Sequence, residues 1–578
     1  MNFKSFYAMR TMTFKNWLFI AAASILLFHS GCRKDEDSGP VGAIPNITGV
    51  SPGEGTVGTE LTITGINFEA NAIVIIGNKT STEVEVSSPT IIYAKVPSGI
   101  PGNVLLDVKV NNPNGGEAVK SNAFMAIDPV LSFVNSATKP SGNAGSTAII
   151  EGRAFGDTQG AGEVLFSDGN GGTIAATVNS DEDWTDEFIV TTVPNGAKDG
   201  PVVVKTEIGT SNELPFMVTD AATFSPSTIN WTVTSPLPEA VSGHKALFIP
   251  VDDAAGTTNQ YVFVFGGRNG EGDASDQAVA GQINMDGTIS SWESTASLPG
   301  PLSFHTAVAA TPFNSKVDGS GYVFVLGGIN NNGEAVSTVS VATLNNDGTI
   351  QGWSSGRALP QAVHSPGAVI FRSTIYVAGG AGNDNTPVAA VYKAEINEDG
   401  ELGQWESMPE LPDAVAYHGL VSFGGYLYSV GGETGVADPD AGSQVAATQK
   451  LFYSRINLRT GEINDWTENP NTIGKERSKH TALVLGGSLF ISSGFYSGLT
   501  PNVPGSSENY YANINSDGTV GSFNGATGSN TLFSAGGSNL FNQSGISYVD
   551  ADGVAHVMIL GGAKVGSPGT KLDNVLFY

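Results

Sequence analysis

Short apolar runs, alternating with polar residues and broken by turn residues, follow one another along most of this chain. Alternation with a period of two predicts strands with one buried face. From residue 225 the pattern becomes periodic. Tryptophans stand at Trp231, Trp292, Trp353, Trp405 and Trp466, spaced 61, 61, 52 and 61 residues, and Phe523 follows 57 later. Each period keeps one order: tryptophan, Leu-Pro, histidine, an apolar strand ending in paired glycines, a polar loop, a further alternating run and an Asp-Gly turn. The glycine pairs are Gly266-Gly267, Gly327-Gly328, Gly379-Gly380, Gly431-Gly432 and Gly561-Gly562, with Ser493-Gly494 in the fifth unit. Self-similarity at such a period predicts a repeat architecture.

Asp-Gly between alternating runs is a hairpin signal, because both turn residues tolerate positive φ. It occurs at Asp286-Gly287, Asp347-Gly348, Asp399-Gly400 and Asp517-Gly518, with Thr460-Gly461 as a variant. Each unit therefore reads as four antiparallel strands, one blade of a propeller. The last unit stops at Val575 to Tyr578, where the third strand of other units lies, and the first begins with an unpaired fourth-strand signature, Thr228 to Trp231. Pairing these ends in one blade closes a ring of six and removes an exposed edge.

The glycine pairs after an apolar strand, and the tryptophans preceding Leu237-Pro238, Leu298-Pro299, Leu359-Pro360 and Leu411-Pro412, resemble the kelch-repeat family over residues 225–578. Kelch blades often carry arginine before the first strand, where this chain usually has histidine. The resemblance implies a ring with variable loops on one face. Some kelch propellers are enzymes, among them sialic-acid mutarotases and copper oxidases. The thioether cysteine of the latter is missing here outside residue 32.

Two smaller all-β units precede the ring. Residues 45–127 hold short alternating strands with turn residues between them, as a β-sandwich requires. Residues 130–219 repeat them: Gly58, Gly65 and Phe68 recur 87 positions later as Gly145, Gly152 and Phe155, and Val96-Pro97 recurs as Val193-Pro194. Both resemble the immunoglobulin-like IPT/TIG family, and a stalk is the role this implies. Trp184, inside the acidic stretch Ser180 to Glu187, either binds something or packs on its own domain. The expected fold is thus all-β: two Ig-like β-sandwiches, then a six-bladed kelch-type β-propeller closed by pairing of its first and last strands.

Residues 1–31 carry Lys4, Arg10 and Lys15, an apolar run from Trp17 to Phe28, and small residues before Cys32. A basic start, a short apolar core and small residues read as a secretory signal. Cys32 is the single cysteine of 578 residues, so no disulfide can form within the chain. The setting resembles a bacterial lipoprotein cleavage site, which implies an acylated Cys32, a flexible tether over 32–44 and outer-membrane lipid as partner. Lys34-Asp35-Glu36-Asp37 resembles the export signal of surface lipoproteins in the Bacteroidota. It implies a position facing the cell exterior, with a periplasm-facing one as the alternative; a plain secreted protein is a further alternative.

The chain carries 27 basic and 55 acidic residues, a net charge of −28. Such a surface repels nucleic acid, which is excluded as a partner. No Gly-x-Ser-x-Gly, His-Glu-x-x-His or phosphate-loop pattern occurs, and no cofactor or metal is expected. The candidate binding residues are two sets. His244, His305, His364, His418 and His480 fall 13, 13, 11, 13 and 14 residues after their tryptophans. They predict either a polar ring around the axis that takes a ligand, or one structural contact copied from blade to blade. Arg268, Asn330, Asn383, Glu433 and Tyr496 open the variable loops after the glycine pairs and suit a glycan or protein ligand. The function read from this pattern is a membrane-anchored, non-catalytic surface binding protein; the alternative is a mutarotase- or epimerase-like propeller enzyme acting on sugars through the histidines.

Overall fold

The computed structural model describes residues 43–578 except 135–140, 220–228, 254–256, 312–314, 316, 318, 320, 437–445, 486, 497–508, 527–539, 551–553 and 565–569. The expected signal, Cys32 and most of the tether lie outside the described residues. Strands dominate; the one regular helix among the described residues is a single 3-10 turn, Asp181–Asp183. No helix there is long and apolar enough to cross a membrane.

The first unit is a sandwich of two sheets. Asn46–Ser51, Glu60–Ile66, Ile91–Lys95 and Val84–Ser88 form one; Glu54–Gly55, Glu117–Ala126, Leu105–Asn111, Ile73–Ile76 and Lys79–Thr80 form the other. Alternate residues of facing strands fill the space between, with Leu61, Ile63, Val74, Ile92, Val108 and Phe124 fully buried. The second unit repeats the plan with a three-stranded and a five-stranded sheet. The duplication extends to atomic contacts. A Cβ on Gly65 would sit 2.1 Å from the Asn46 carbonyl and 2.4 Å from the Phe68 ring; on Gly152 it would sit 2.0 Å from the Val130 carbonyl and 2.5 Å from the Phe155 ring. The recurring glycines are thus needed for close approach of backbone and aromatic ring. Trp184 is fully buried in its own sandwich, its indole N–H donating to the Phe155 carbonyl at 3.0 Å.

Beyond residue 230 lie six four-stranded antiparallel sheets. The innermost strands are Lys245–Asp252, Thr306–Ala310, Gly367–Phe371, Gly419–Phe423, Thr481–Leu485 and Ser544–Val549. Each contacts the next, and the last contacts the first. The sixth sheet takes its outer strand, Thr232–Val233, from the start of the ring: Thr232 pairs with Phe577 and Val233 with Leu576. Blades are also tied along their outer strands. The indoles of Trp292, Trp353, Trp405 and Trp466 donate to the carbonyls of Ser235, Ala296, Arg357 and Pro409 in the preceding blade, at 2.9–3.1 Å. The tryptophan period is therefore an inter-blade hydrogen bond as well as a hydrophobic contact.

A second, inner belt is made of backbone alone. The residues Gly243, Phe304, Ser365, Tyr417, Lys479 and Asn542 all have positive φ, between 53° and 59°. Each N–H donates to the carbonyl of its counterpart in the preceding blade, and Gly243 donates to Asn542, so six bonds of 2.7–3.2 Å run once around the axis.

Strand direction gives the ring two unlike faces. The loops after the glycine pairs lie on one; the hairpins between first and second strands, and between third and fourth, lie on the other. The second sandwich packs against this other face at the third and fourth blades. Arg372 pairs with Glu187 at 3.0 Å and lies over the Phe188 ring at 3.7 Å. Arg455 pairs with Asp183 and Arg459 donates to the carbonyls of Asp157 and Trp184.

Candidate functional site

The glycine-pair face is organised around the axis by one repeated bridge. The residue after each pair pairs its backbone with the residue two before the innermost strand's histidine position: Ser242 with Arg268, Ser303 with Ile329, His364 with Ala381, Ala416 with Glu433, Ser478 with Phe495 and Phe541 with Ala563. Arg268 and Glu433 are therefore equivalent, whereas Asn330 and Tyr496 lie one residue further on and Asn383 two.

The five histidines do not share one position. His244, His305, His418 and His480 do, each directly before its innermost strand, and Pro366 and Gln543 hold that place in the third and sixth blades. His364 lies two residues earlier, in the bridge. The expectation of five in register fails because the third histidine is displaced by Pro366.

The four equivalent imidazoles are wedges between blades. A Cβ on Gly432 would sit 2.7 Å from the His418 Cβ in its own blade; one on Gly431 would sit 3.1 Å from His480 Cε1 of the next. Their ring nitrogens are sealed from solvent without good hydrogen-bond geometry. His244 is directed towards the Leu560 carbonyl and His305 towards that of Phe265. Gln543 makes the same contact in full, its amide donating to the Ser492 carbonyl at 3.1 Å. Desolvation holds His244, His305 and His480 down to about 3, and His418 to about 4, so all four are neutral at physiological pH.

His364 has a different setting. Its Nδ1 meets the Ser365 hydroxyl at 3.1 Å and its Nε2 the Asn385 carbonyl oxygen at 3.0 Å, which fixes the tautomer with the proton on Nε2. Burial lowers it to about 4 despite the Asn385 contact. Its ring packs on Tyr417, 6.0 Å between centroids.

Tyr417 is the hub of a cluster closing the axis on this face. Phe304 meets it edge-on at 5.7 Å, and Arg268 lies 5.0 Å over Phe304. The Lys479 ammonium lies 4.8 Å over the Tyr417 ring and 5.9 Å over Phe495, and pairs with Glu433 Oε1 at 3.2 Å. Both side chains of this ion pair are fully buried, and the Ser478 hydroxyl donates to the same carboxylate at 3.0 Å. Glu433 is thus a buried partner of the axis rather than a solvated loop residue. Asn330 caps its own loop, accepting from the N–H groups of Asn332 and Glu334 at 2.9 and 3.0 Å. Asn383 links two loops by accepting from Ala335 N–H at 2.6 Å. The Tyr496 backbone pairs with Arg477.

Phe304, Tyr417 and Lys479 escaped the sequence reading. Their signal was available: each directly precedes a histidine of the repeat. Below them the axis holds a channel of about 160 Å³, lined among others by Lys245, Thr306, Thr481 and Ser544. Among the described residues, no group of three or more His, Cys, Asp or Glu is placed to hold a metal.

Among curated proteins, none matches the chain by sequence. A solved structure entitled "Structure of YjhT" is similar at 15% identity and a TM-score of 0.42, covering 60% of this chain and 97% of that one. Residues 45–124 match the IPT/TIG domain model, so the first sandwich is an IPT/TIG domain.

Proposed function

We propose that this chain is a surface-anchored, non-catalytic binding protein, in which a kelch-type propeller is carried on two Ig-like domains and recognises a glycan or protein ligand through its glycine-pair face. Outer-membrane lipid is its anchor, through Cys32, and the exterior of the cell is where the propeller faces. The observation that carries this reading is the asymmetry of the ring. The second sandwich occupies the hairpin face through Arg372, Arg455 and Arg459, while the opposite face combines variable loops with the Arg268–Phe304–Tyr417 cluster. Phe304 and Tyr417 are buried beneath this face, and the half-buried Arg268 over Phe304 offers a guanidinium among the variable loops that suits the hydroxyls of sugars and equally a peptide. A histidine-based reaction at the axis finds no support in this geometry, since four of the five imidazoles are wedged between blades.

The test is a glycan and peptide array probed with the chain begun after Cys32. Binding that Arg268→Ala weakens at least tenfold, with unchanged melting, supports the reading. Binding to the sandwiches alone, or substrate turnover, overturns it. For the anchor, Cys32→Ser is expected to move the protein from the membrane fraction to the soluble or unprocessed pool; unchanged fractionation refutes acylation.

A further inference from the structure

We propose that the axial channel is a binding site for a small monovalent anion, held by the ammonium of Lys245 and the hydroxyl of Ser544.

Lys245 opens the innermost strand of the first blade. The equivalent residues of the other blades are Thr306, Gly367, Gly419, Thr481 and Ser544, so one lysine, three hydroxyl residues and two glycines stand at one level of the ring. The channel they line measures about 160 Å³, room for an ion and its closest waters. In a chain with 55 acidic residues and a net charge of −28, no Asp or Glu is among the described residues lining this channel. Its other cation, Lys479, is answered by Glu433 at 3.2 Å. Lys245 has no such carboxylate among the described residues.

One hydroxyl has the right valence. Ser544 Oγ accepts from the Ala246 N–H at 2.8 Å, which leaves its proton to donate towards the axis. An unpaired ammonium and an unmade hydroxyl bond each carry a desolvation cost. One small anion at the axis relieves both. Desolvation lowers the Lys245 pKa, and a bound anion would favour its charged form. The neighbouring His244 and His305 sense the Lys245 charge and stay neutral beside it, so they offer no competing cation. The channel volume suits a halide or formate with its closest waters. Its upper end is bounded by Phe304 and Tyr417 of the ligand face, while Lys245 and Ser544 stand at the start of the innermost strands, so an anion there does not require a ligand on that face.

Thermal melting of the chain begun after Cys32, at fixed ionic strength and neutral pH, tests this. Sodium gluconate serves as the reference salt, and chloride, bromide and formate replace it in turn. A saturable rise in Tm with the small anions is expected, together with its loss in Lys245→Met. Ser544→Ala, which keeps the lysine, is expected to weaken the apparent affinity at least threefold. Crystals soaked in bromide should give an anomalous peak within hydrogen-bond distance of Lys245 Nζ. This last measurement needs no variant, so it decides the matter if Lys245→Met fails to fold. A parent protein indifferent to these anions, an anion response that survives in Lys245→Met, or a channel without bromide overturns the proposal. A response to formate alone names a carboxylate as the occupant, and a response to all three a halide-sized site of low selectivity.

Discussion

Four imidazoles wedged between blades make the stability of the ring depend on acid. Their folded pKa values of about 3 to 4, with His364 also at about 4, lie well below the unfolded value near 6.5. The unfolded chain therefore binds more protons than the folded one throughout this window. Stability contributed by the neutral histidines is whole above about pH 6.5 and is lost as pH falls, by about 1.4 kcal/mol per pH unit for each histidine, until the folded pKa values are reached. Melting scans from pH 7 to 4 should show a steep decline. Gln543 indicates the variant that isolates the effect, because it fills the same wedge and cannot titrate in this range. His305→Gln should fold and show a shallower decline by one proton's worth, whereas His305→Ala should lose roughly 2–4 kcal/mol at neutral pH through the cavity it leaves. Equal pH slopes for parent and His305→Gln would show that this imidazole takes up its proton in the fold as readily as in the unfolded chain. The buried Lys479–Glu433 pair makes a separate demand. Glu433→Ala strands an ammonium among Tyr417 and Phe495 and should cost about 3–5 kcal/mol by chemical denaturation. A loss under 1 kcal/mol would mean that solvent reaches Lys479 there.

At the scale of elements, the paired glycines and the shared blade are the devices that close the ring. Gly432 has φ of 112°, and a Cβ there would meet His418 Cβ at 2.7 Å and the Ala416 carbonyl at 3.0 Å. Gly432→Ala should therefore cost on the order of 2–4 kcal/mol through backbone strain and overpacking. Gly300→Ala, where nothing lies within 4 Å, should change melting little and serves as its control. Removing Val575 to Tyr578 takes away the strand that holds Thr232–Val233 and should lower the melting of all six blades together. Selective loss of the sixth blade would mean that the backbone belt at the axis closes the ring by itself. These features were legible because they recur: a glycine needed in one blade is needed in every blade, and period alone reveals it. The shared blade was legible from the missing strand at one end and the surplus one at the other. What recurrence could not convey is departure from it. The third repeat is 52 residues long, and Pro366 takes the wedge position, so His364 seemed equivalent to its neighbours by spacing and was not. Glu433 looked like a loop residue because its partner, Lys479, lies in the next blade. Lys245 carried no signal, since one lysine heading a strand is ordinary until five other strands are brought around it.

The whole molecule depends on a contact that no local pattern announced. The acidic stretch Ser180 to Glu187 stands out in the sequence only for Trp184, because its three arginine partners lie some two to three hundred residues further along the chain. Its latch fixes how the propeller sits on the second sandwich. Asp183 is the strongest point: its side chain is 3% exposed, it accepts from Arg455, and Arg455 also donates to Tyr426 at 2.9 Å. Burial raises the Asp183 pKa, opposed by Arg455, so the carboxyl takes up its proton at a higher pH than an exposed aspartate. Glu187, a third exposed, holds Arg372 against Phe188. Apolar contact beneath is thin, with Thr147 and Val190 near Gly424 and Gly425. Charge, more than apolar area, should therefore hold the two domains together, and partly exposed pairs are weakened by salt. Asp183→Ala with Glu187→Ala removes the two closest carboxylates, leaves the exposed Glu182 3.6 Å from Arg455, and leaves Arg372 and Arg455, each 21% exposed, able to be hydrated. Small-angle X-ray scattering of this variant should show a larger radius of gyration than the parent at low salt, with both propeller and sandwiches still folded by circular dichroism. The parent should approach the same dimension at about 1 M salt, where the Debye length is near 3 Å. A variant that scatters like the parent under both conditions would assign the joint to Phe188, Val190 and Thr147 instead, and the joint would then be rigid regardless of ionic strength.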